Sequence, residues 1–262
     1  MKYPQKVSKH IISWIKDYLD KNNINGLVVG VSGGIDSALT SLLCAETGHK
    51  VICIEMPIRQ GEDQISRSQK HIKWLESKYS NVSSIEINLN STFNSFVKSI
   101  PESNSTNHEL SLANTRSRLR MLTLYYFSAL NEYIVAGTGN KVEDFGIGFY
   151  TKYGDGGVDI SPIADLLKSE IYSLAKFHKI IDEIIQARPT DGLWDDNRND
   201  EDQIGATYLE LENAMLVDQK NYYKLNDRER EVFNIYKSFN SLNRHKMTEI
   251  PVCKIPKKYL IS

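Results

Sequence analysis

The chain has 262 residues, enough to bury one α/β core but not a second catalytic domain of similar size, so we expect residues 1–262 to form a single domain. Its 32 basic and 33 acidic side chains nearly balance, which excludes a global field that would draw it to nucleic acid or an anionic membrane. The three cysteines form no CxxC pair, which argues against a disulfide scaffold and a zinc ribbon. No apolar run approaches membrane-spanning length, so we expect a cytoplasmic protein.

An amphipathic stretch opens the chain, with apolar side chains at helical spacing at Ile11, Ile12, Ile15 and Leu19. This face could pack on the chain's own sheet or supply a subunit interface. The sequence supports the two interpretations equally.

Short apolar runs of strand length then recur, and each gap between them holds at least one helical pattern. The runs span residues 27–31, 51–56, 85–89 and 133–137. This alternation predicts an α/β fold, a doubly wound parallel sheet of Rossmann-like type with helices on both faces. Ligands of such sheets bind beyond the carboxyl ends of the strands, where the loop after Val31 and the turn at 137–140 fall.

The loop after the first run leads into a helix predicted over residues 36–47. Glycines within residues 30–34 remove the β-carbons that would keep an oxyanion from the backbone, and Ser32 and Ser37 add hydroxyl donors. The unpaired N–H groups of the helix and its positive dipole end add to this attraction. The loop therefore predicts a phosphate site, although a glycine turn with capping residues before a helix would explain the same residues.

Asp36 is the unusual member of this loop, because a carboxylate in a phosphate cradle repels its ligand unless a divalent cation lies between them. We therefore predict Mg²⁺ at this position. No lysine lies within the loop, so it is not the Gly-Lys-Ser/Thr nucleotide loop, and it lacks the spacing of a dinucleotide fingerprint. It resembles the Ser-Gly-Gly-x-Asp-Ser loop of enzymes that split ATP between its α- and β-phosphates.

A helix predicted over residues 110–130 carries Arg116, Arg118 and Arg120 at alternate positions, so the three cannot share one face. We expect at least one to point toward the site and another toward solvent. Residues 145–162 lack apolar periodicity and hold five glycines, which predicts a mobile functional loop or lid. The remaining predictions are a helix over 165–178, a polar, partly disordered connection over 188–202, and helices over 204–216 and 227–244.

Several further motifs occur in the order and spacing of one known family. They span residues 137–143, 149–159, 161–168, 189–190 and 245–246. Together with the glycine loop, they make the chain resemble NAD synthetase over nearly its whole length. The resemblance implies an adenine nucleotide α-hydrolase-like fold and a C–N ligase. In that reaction ATP adenylates the carboxylate of nicotinic acid adenine dinucleotide (deamido-NAD), and ammonia then displaces AMP to give NAD, with pyrophosphate as the other product.

The same resemblance implies the site residues. It implies ATP contacts at Gly30, Val31, Ser32, Gly33, Gly34, Ile35, Asp36, Ser37, Thr138, Lys168 and Thr190. It implies Mg²⁺ ligands at Asp36 and Glu143, and deamido-NAD contacts at Arg118, Lys152, Asp159, His245 and Lys246. The catalytic set is Asp36, Glu143, Lys168 and Asp159, of which Asp159 could also bind ammonium and help to deprotonate it. The resemblance further implies a homodimer with the dinucleotide near the subunit interface.

Elementary chemistry supports part of this assignment independently. The reaction needs positioning and charge neutralisation and no protein nucleophile. Glu143 follows the fourth predicted strand at the sheet edge that also carries Asp36, and a lysine such as Lys168 is needed because the glycine loop offers a leaving pyrophosphate no cationic side chain. Ordinary surface, capping or turn roles remain open for Glu143, Lys168, Arg118, Thr190 and residues 245–246.

Two residues depart from the family pattern. Ser117 stands where alanine is common before Arg118, which leaves the arginine spacing intact. Asp191 stands where alanine is usual, which affects the expected contacts around Thr190.

Two other functions are compatible with the loop. An enzyme that amidates or thiolates a tRNA base would bring a basic surface, a tRNA-binding appendage or catalytic cysteines, and the sequence shows none of these. A nucleotide-binding regulator would keep the cradle and lose the chemistry, whereas Asp36, Glu143 and Lys168 are all present. Cys44, Cys53 and Cys253 lack the context of a glutaminase nucleophile, and little chain precedes residue 30, so we expect free ammonia rather than glutamine as nitrogen donor.

Overall fold

The computed structural model describes residues 1–190, 192–194 and 199–260. Within these residues the strands are β1 (Gly26–Gly30), β2 (Lys50–Glu55), β3 (Val82–Glu86) and β4 (Ile134–Val135). They form one parallel sheet in the order β3-β2-β1-β4. Val28 of β1 lies opposite Ile52 of β2 and Val135 of β4. This order places β1 between β2 and β4. The glycine loop that follows β1 therefore lies at the carboxyl edge of the sheet, between the loops that follow its neighbours.

Helices pack on both faces of this sheet. In the described part of the chain they are α1 (Pro4–Asn22), α2 (Ile35–Ala45), α3 (Glu62–Lys78), α4 (Asn90–Ser99), α5 (His108–Asn131), α6 (Lys168–Phe177), α7 (Asp182–Ile185), α8 (Asp200–Ile204), α9 (Tyr208–Leu216) and α10 (Asp227–Met247). A π-helical turn spans Val142–Ile147, and 3-10 turns span Gln219–Lys224 and Lys257–Tyr259. None of these described helices has both the length and the apolar character needed to cross a membrane.

The two faces of the sheet bury separate cores, because successive side chains of a strand point to opposite sides. Val29 belongs to the core that α1, α2, α3, α6 and α7 complete, and Val28 belongs to the core under α4 and α5. A third apolar cluster joins the π-helical turn to α8, α9 and α10. The predicted doubly wound α/β fold is confirmed.

The apolar face of α1 packs on the chain's own core. Ile11, Ile15 and Leu19 are buried there, and the half-buried Ile12 packs against them. Of the two interpretations left open by the sequence, packing on the sheet accounts for these side chains.

Both outer strands differ from their predicted bounds. The third occupies Val82–Glu86 rather than 85–89, because its pairing with β2 begins earlier, at Val82 opposite Val51. The backbone nevertheless continues beside β2, since the Ile87 N–H donates to the Glu55 carbonyl at 2.8 Å. The fourth is shortened to Ile134–Val135, and a single parallel bridge from Ala136 to Ile160 extends it.

Two predicted helices also needed correction. The continuous helix predicted over 204–216 is wrong, because Gly205 has a φ of +82° and ends α8 before Thr207 caps α9. The helix predicted over 165–178 begins only at Lys168. Within the predicted polar connection, Asp191 and residues 195–198 lie outside the described part of the chain.

Candidate active site

The loop between β1 and α2 has a backbone that depends on glycine. Gly33 has a φ of +80°, and a β-carbon there would lie 2.5 Å from the Gln64 carbonyl oxygen. Ser37 fastens the loop, since its hydroxyl donates to the Gly34 carbonyl (3.0 Å) and accepts from the Ser32 N–H (3.2 Å). The loop is therefore folded around the N-terminus of α2 by its own serines.

A cavity of about 600 Å³ lies beside this loop, at the carboxyl edge of the sheet. Every residue assigned to ATP from the sequence lines it, namely residues 30–37, Thr138, Lys168 and Thr190. Glu143 and Lys246 line it as well. Arg118, Lys152, Asp159 and His245 are not among its lining residues. The cavity thus brings the ATP and metal assignments together and leaves most of the deamido-NAD assignments beside it.

Lys168, the first residue of α6, lies between two carboxylates. Its ammonium is 2.6 Å from Asp36 Oδ2 and 3.1 Å from Glu143 Oε1, and 4% of its side chain is exposed. Burial by itself lowers the pKa of Lys168, but the two carboxylates outweigh burial and raise this pKa above its ordinary value. Lys168 therefore stays cationic, and a role as an ordinary surface lysine is excluded.

Asn140 joins the two sheet-edge loops directly. Its amide donates to Asp36 Oδ1 at 3.1 Å, while its side-chain oxygen accepts from the N–H groups of Val142 (3.0 Å) and Glu143 (3.1 Å). The side chain is fully buried, so these bonds face little competition from water. Asn140 therefore fixes the turn that carries Glu143 relative to Asp36.

The donor set formed by Asp36 and Glu143 fits a hard divalent cation. Both carboxylates contact one point, which the Lys168 ammonium occupies. In the described ranges, no three or more His, Cys, Asp or Glu side chains gather in an arrangement that could hold a metal ion. Mg²⁺ suits two carboxylates because it usually takes only one or two from the protein and completes its octahedron with phosphates and waters.

Two residues that the sequence analysis did not single out complete this cluster. The buried Tyr208 hydroxyl donates to Glu143 Oε1 at 2.6 Å and lies 3.2 Å from Oδ2 of the buried Asp200. The Lys168 ammonium lies 4.6 Å from the centre of the Tyr208 ring. The only signal in the sequence was the Thr-x-x-Glu capping pattern at the start of α9, which was hidden inside one long predicted helix.

Asp144 and Asp155 also line the cavity, and neither was predicted as a site residue. Burial, with the added repulsion of Glu143 and Asp155, raises the pKa of Asp144 to about 8. Burial of its carboxyl group likewise raises the pKa of Asp155, although the residue as a whole is exposed. The Asp155 carboxylate accepts from the Ser117 hydroxyl (2.6 Å) and the Thr151 N–H (2.9 Å). Its position in the Gly-Asp-Gly-Gly motif was the signal that could have found it.

The side chains of the three arginines of α5 point in different directions, as their alternate spacing predicted. Arg116 is buried and stacks on the Phe93 ring, with 4.9 Å from its guanidinium carbon to the ring centre. Arg120 lines the cavity and donates to the Met56 carbonyl at 3.1 Å. Arg118 is exposed. The expectation that one arginine faces the site and another faces solvent is confirmed.

Three residues assigned to deamido-NAD are connected at the surface. Arg118 Nη2 donates to the Lys152 carbonyl at 3.3 Å, and the Lys152 ammonium donates to the His245 carbonyl at 2.9 Å. Asp159 lies at β4 instead, where its carboxylate accepts from the Val135 N–H (2.8 Å) and the Tyr125 hydroxyl (3.1 Å). The structure therefore groups Arg118 with Lys152 and His245 and holds Asp159 apart from them.

The glycine-rich segment that was predicted to be a mobile lid is fastened to α10. Three α10 side chains donate to its carbonyls: Asn240 to Gly146 (2.7 Å), Asn243 to Ile147 (2.9 Å), and Lys246 to Gly148 and Tyr150 (2.9 and 2.8 Å). Glycine content could not reveal these contacts, because Asn240 and Gly146 are 94 residues apart in sequence.

The fold and the site together define a class of protein. A parallel α/β sheet that carries a glycine loop and a carboxylate–lysine cluster at its carboxyl edge is the arrangement of a nucleotide-binding protein. The family model described as NAD synthase matches residues 7–250, and the chain belongs to this family.

Relatives and solved structures agree with this membership. The NH(3)-dependent NAD(+) synthetase of Mesoplasma florum is 37% identical over 204 residues, 78% of this chain and 81% of the relative. The protein of the same name from Carboxydothermus hydrogenoformans is 36% identical, over 81% of this chain and 86% of the relative. Two solved structures, each 26% identical and covering 96% of this chain and 99% of their own, are an NMN synthetase from Francisella tularensis (TM-score 0.84) and an NH3-dependent NAD synthetase from Campylobacter jejuni (TM-score 0.77). The adenine nucleotide α-hydrolase-like fold implied by the sequence is confirmed.

Proposed function

We propose that this chain is an ammonia-dependent NAD synthetase, a C–N ligase that converts deamido-NAD, ATP and ammonia to NAD, AMP and pyrophosphate. The observation that carries the proposal is the convergence of residues 30–37, Thr138, Lys168 and Thr190 on one cavity with the Asp36–Glu143 pair. Family membership and relatives named NH(3)-dependent NAD(+) synthetase favour it over a tRNA-modifying pyrophosphatase.

The proposed chemistry proceeds in two displacements. A nicotinate carboxylate oxygen attacks the α-phosphorus of ATP, the bond to the bridging oxygen of the β-phosphate breaks, and pyrophosphate leaves. Ammonia then attacks the acyl carbon of the adenylate, AMP leaves with the bonding electrons, and the nitrogen loses a proton. The loop of residues 30–37 binds the phosphates through backbone N–H groups at the start of α2, and Lys168 stabilises the negative charge of the leaving pyrophosphate.

Asp36 and Glu143 would hold Mg²⁺, which supplies charge neutralisation of the phosphates when bound. The deamido-NAD contacts remain Arg118, Lys152, Asp159, His245 and Lys246. Hydrogen bonds that connect Arg118 and Lys152 to each other and to the His245 backbone support this, because they bring two cationic side chains together at the surface and the substrate carries a diphosphate. Asp159 is proposed to bind ammonium and accept its proton.

We further propose that residues 1–262 act as one domain, in a homodimer located in the cytoplasm. Packing of α6 on both α2 and α9 supports the single domain. An exposed apolar stripe on α5, formed by Leu122, Tyr126 and Leu130, supports association with a second copy, because isolated proteins rarely expose such a stripe. The free thiols of Cys44 and Cys53 are usual in a reducing compartment.

The structural likeness to a protein named NMN synthetase makes the mononucleotide the competing acyl substrate. Purified protein is therefore incubated with MgCl₂, ATP and ammonium chloride, and with either deamido-NAD or nicotinic acid mononucleotide, and the products are separated by chromatography. We expect NAD and AMP in equal amounts from deamido-NAD, and a lower kcat/KM for the mononucleotide. A higher kcat/KM for the mononucleotide, or AMP formation without any amide product, would contradict the proposal.

A second arm replaces ammonium chloride with glutamine, from which we expect no NAD. The rate at fixed total ammonium should rise with pH, because ammonia is the reactive form. NAD formation from glutamine as fast as from ammonium chloride would overturn the ammonia dependence.

A further inference from the structure

Tyr208, which contacts Glu143, belongs to none of the sequence motifs that resemble the family. We propose that Tyr208 is a positioning residue for the reaction, in which its hydroxyl holds the Glu143 carboxylate in place for a divalent cation. The inference rests on the proposed function for its kinetic readout. Its geometric basis is the 2.6 Å bond from the Tyr208 hydroxyl to Glu143 Oε1, inside a site where 5% of Tyr208 is exposed.

Hydrogen bonds at the start of α9 hold the backbone of Tyr208 and so set the position of its phenol ring. Tyr208 is the first residue of α9, its N–H donates to Glu201 Oε1 at 2.9 Å, and a reciprocal capping box between Thr207 and Glu210 closes the helix start. Arg228 secures Glu210 in turn, with bonds of 2.8 and 3.0 Å to its two carboxylate oxygens. A helix start that is bonded on three sides gives the hydroxyl little freedom to leave Glu143.

The Tyr208 hydroxyl has one proton and two neighbouring carboxylates, so the two distances indicate which carboxylate accepts its hydrogen bond. Glu143 Oε1 is 2.6 Å away and Asp200 Oδ2 is 3.2 Å away, and the shorter contact marks Glu143 as the acceptor. A phenol hydroxyl is a hydrogen-bond donor, whereas an ionised carboxylate can only accept. The same oxygen, Oε1, accepts a bond from Lys168 at 3.1 Å, and Tyr208 remains as its donor once a metal displaces the lysine.

The experiment separates the hydroxyl from the ring. Tyr208→Phe keeps the ring that faces the Lys168 ammonium and removes the hydroxyl, and with it the hydrogen bond to Glu143 and the longer contact with Asp200. We expect the KM for Mg²⁺ to rise about tenfold with a smaller change in kcat at saturating Mg²⁺, because loss of a group that orients a metal ligand costs about 10–100-fold in metal affinity. Mn²⁺ binding, followed by electron paramagnetic resonance with the protein alone and with α,β-methylene ATP, should weaken by a similar factor.

Tyr79→Phe is the matched control. Its hydroxyl also donates to a carboxylate, Glu46 Oε1 at 3.1 Å, but neither residue lines the cavity. We expect its Mn²⁺ affinity and its KM for Mg²⁺ to equal those of the unmodified protein. Equal Mn²⁺ affinity in Tyr208→Phe and Tyr79→Phe would overturn the inference.

A double-mutant cycle covers the case in which Tyr208→Phe weakens the fold. If Tyr208 acts through Glu143, adding Tyr208→Phe to Glu143→Gln should not reduce Mn²⁺ affinity further, and an additive loss would contradict the inference. The Mn²⁺ readout does not require turnover. If the unmodified protein makes NAD and Tyr208→Phe binds Mn²⁺ normally, the inference alone is refuted. If the unmodified protein makes no NAD and Tyr208→Phe binds Mn²⁺ more weakly, the proposed function alone is refuted.

Discussion

At the scale of single residues, the position of Lys168 has the largest consequence. Its ammonium contacts Asp36 at 2.6 Å and Glu143 at 3.1 Å, at the point where the two carboxylates would hold a divalent cation. Two cations cannot share that point, because their repulsion rises steeply at short distance. In the proposed function, Lys168 therefore has to move away before the carboxylates bind a metal, and this movement would make it available to the phosphates of ATP.

This competition gives a prediction of unusual sign. Lys168→Met should reduce turnover by about a hundredfold or more, since one oxyanion-stabilising donor is worth about that much, and yet bind Mn²⁺ more tightly in the absence of nucleotide. Mn²⁺ titration by electron paramagnetic resonance measures the affinity. Lys141→Met is the control, because Lys141 pairs with the exposed Asp165 at 2.8 Å. Weaker Mn²⁺ binding by Lys168→Met would refute the competition.

Asp36→Asn tests the metal assignment directly. The substitution is nearly isosteric and removes the charge that attracts Mg²⁺, so we predict a loss of turnover of about a hundredfold, equivalent to about 2.7 kcal/mol in the barrier. Glu143→Gln should behave similarly, and the double variant should lose much less than the product of the two if both hold one ion. Steady-state kinetics over a range of Mg²⁺ concentrations gives these values. Normal activity of Asp36→Asn at limiting Mg²⁺ would exclude a metal role.

The sequence predicted the residues whose chemistry lies in one continuous motif. The glycine loop with Asp36 was predictable because each residue acts through its own backbone or side chain at that loop. Tyr208 and Asp200 were not, because their roles arise from the distance to Glu143, and Glu143 and Tyr208 are 65 residues apart in sequence. Their types and local patterns suit an ordinary helix start equally well.

At the scale of elements, α10 decides how free the glycine-rich segment is. The prediction of a mobile segment came from the conformational entropy of its glycines, whereas the structure supplies donors from α10 to its carbonyls. Loss of one tether should therefore loosen the segment. We predict that Lys246→Met speeds amide hydrogen exchange in residues 148–151, measured by mass spectrometry without ligands, while Lys254→Met does not. Unchanged exchange in Lys246→Met would show that the tether is dispensable.

The contact between α2 and α3 predicts a pH dependence of stability. His71 is fully buried, its Nε2 lies 3.0 Å from the Ser41 hydroxyl, and burial lowers its pKa to about 4 from an ordinary value of 6.5. As the pH falls, His71 is therefore protonated in the unfolded chain before it is protonated in the folded protein. Its contribution to the free energy of unfolding is fully present above pH 6.5 and is lost as the pH falls toward 4. The loss is on the order of 3 kcal/mol.

Urea unfolding at pH 7.0 and at pH 4.5 measures this effect. We expect His71→Leu to show a smaller fall in the free energy of unfolding between the two pH values than the unmodified protein. His10→Leu, which alters an exposed histidine, should show the same fall as the unmodified protein. Parallel behaviour of the two variants would refute a role for His71.

The elements were predictable to the extent that their apolar patterns are local. The long α5 and α10 fall close to their predicted ranges because each is a single uninterrupted helix. The helix over 204–216 was wrong because apolar spacing continues across Gly205, and only the left-handed conformation of that glycine separates α8 from α9. The bounds of β3 depend on its pairing with β2, which no local pattern contains.

At the scale of the whole molecule, the apolar stripe on α5 predicts the assembly. Leu122, Tyr126 and Leu130 are each more than 60% exposed and lie four residues apart, on one side of the helix. Leu122→Glu combined with Tyr126→Glu should convert the proposed dimer to monomers, measured by light scattering after size exclusion. Leu216→Glu, which alters an exposed leucine on α9, should stay dimeric. A monomeric unmodified protein at micromolar concentration would contradict the dimer.

The position of β1 inside the sheet has a consequence during synthesis. β2 covers one side of β1 soon after it is made, but the other side pairs with β4, and Asp36 and Asn140 beyond these strands are 104 residues apart. A ribosome adds about 5–20 residues per second, so the nascent chain carries an open strand edge for about 5–20 s. During that interval neither half of the proposed phosphate site has its partner, and the unpaired apolar edge of Leu27, Val28 and Val29 is open to association with other chains.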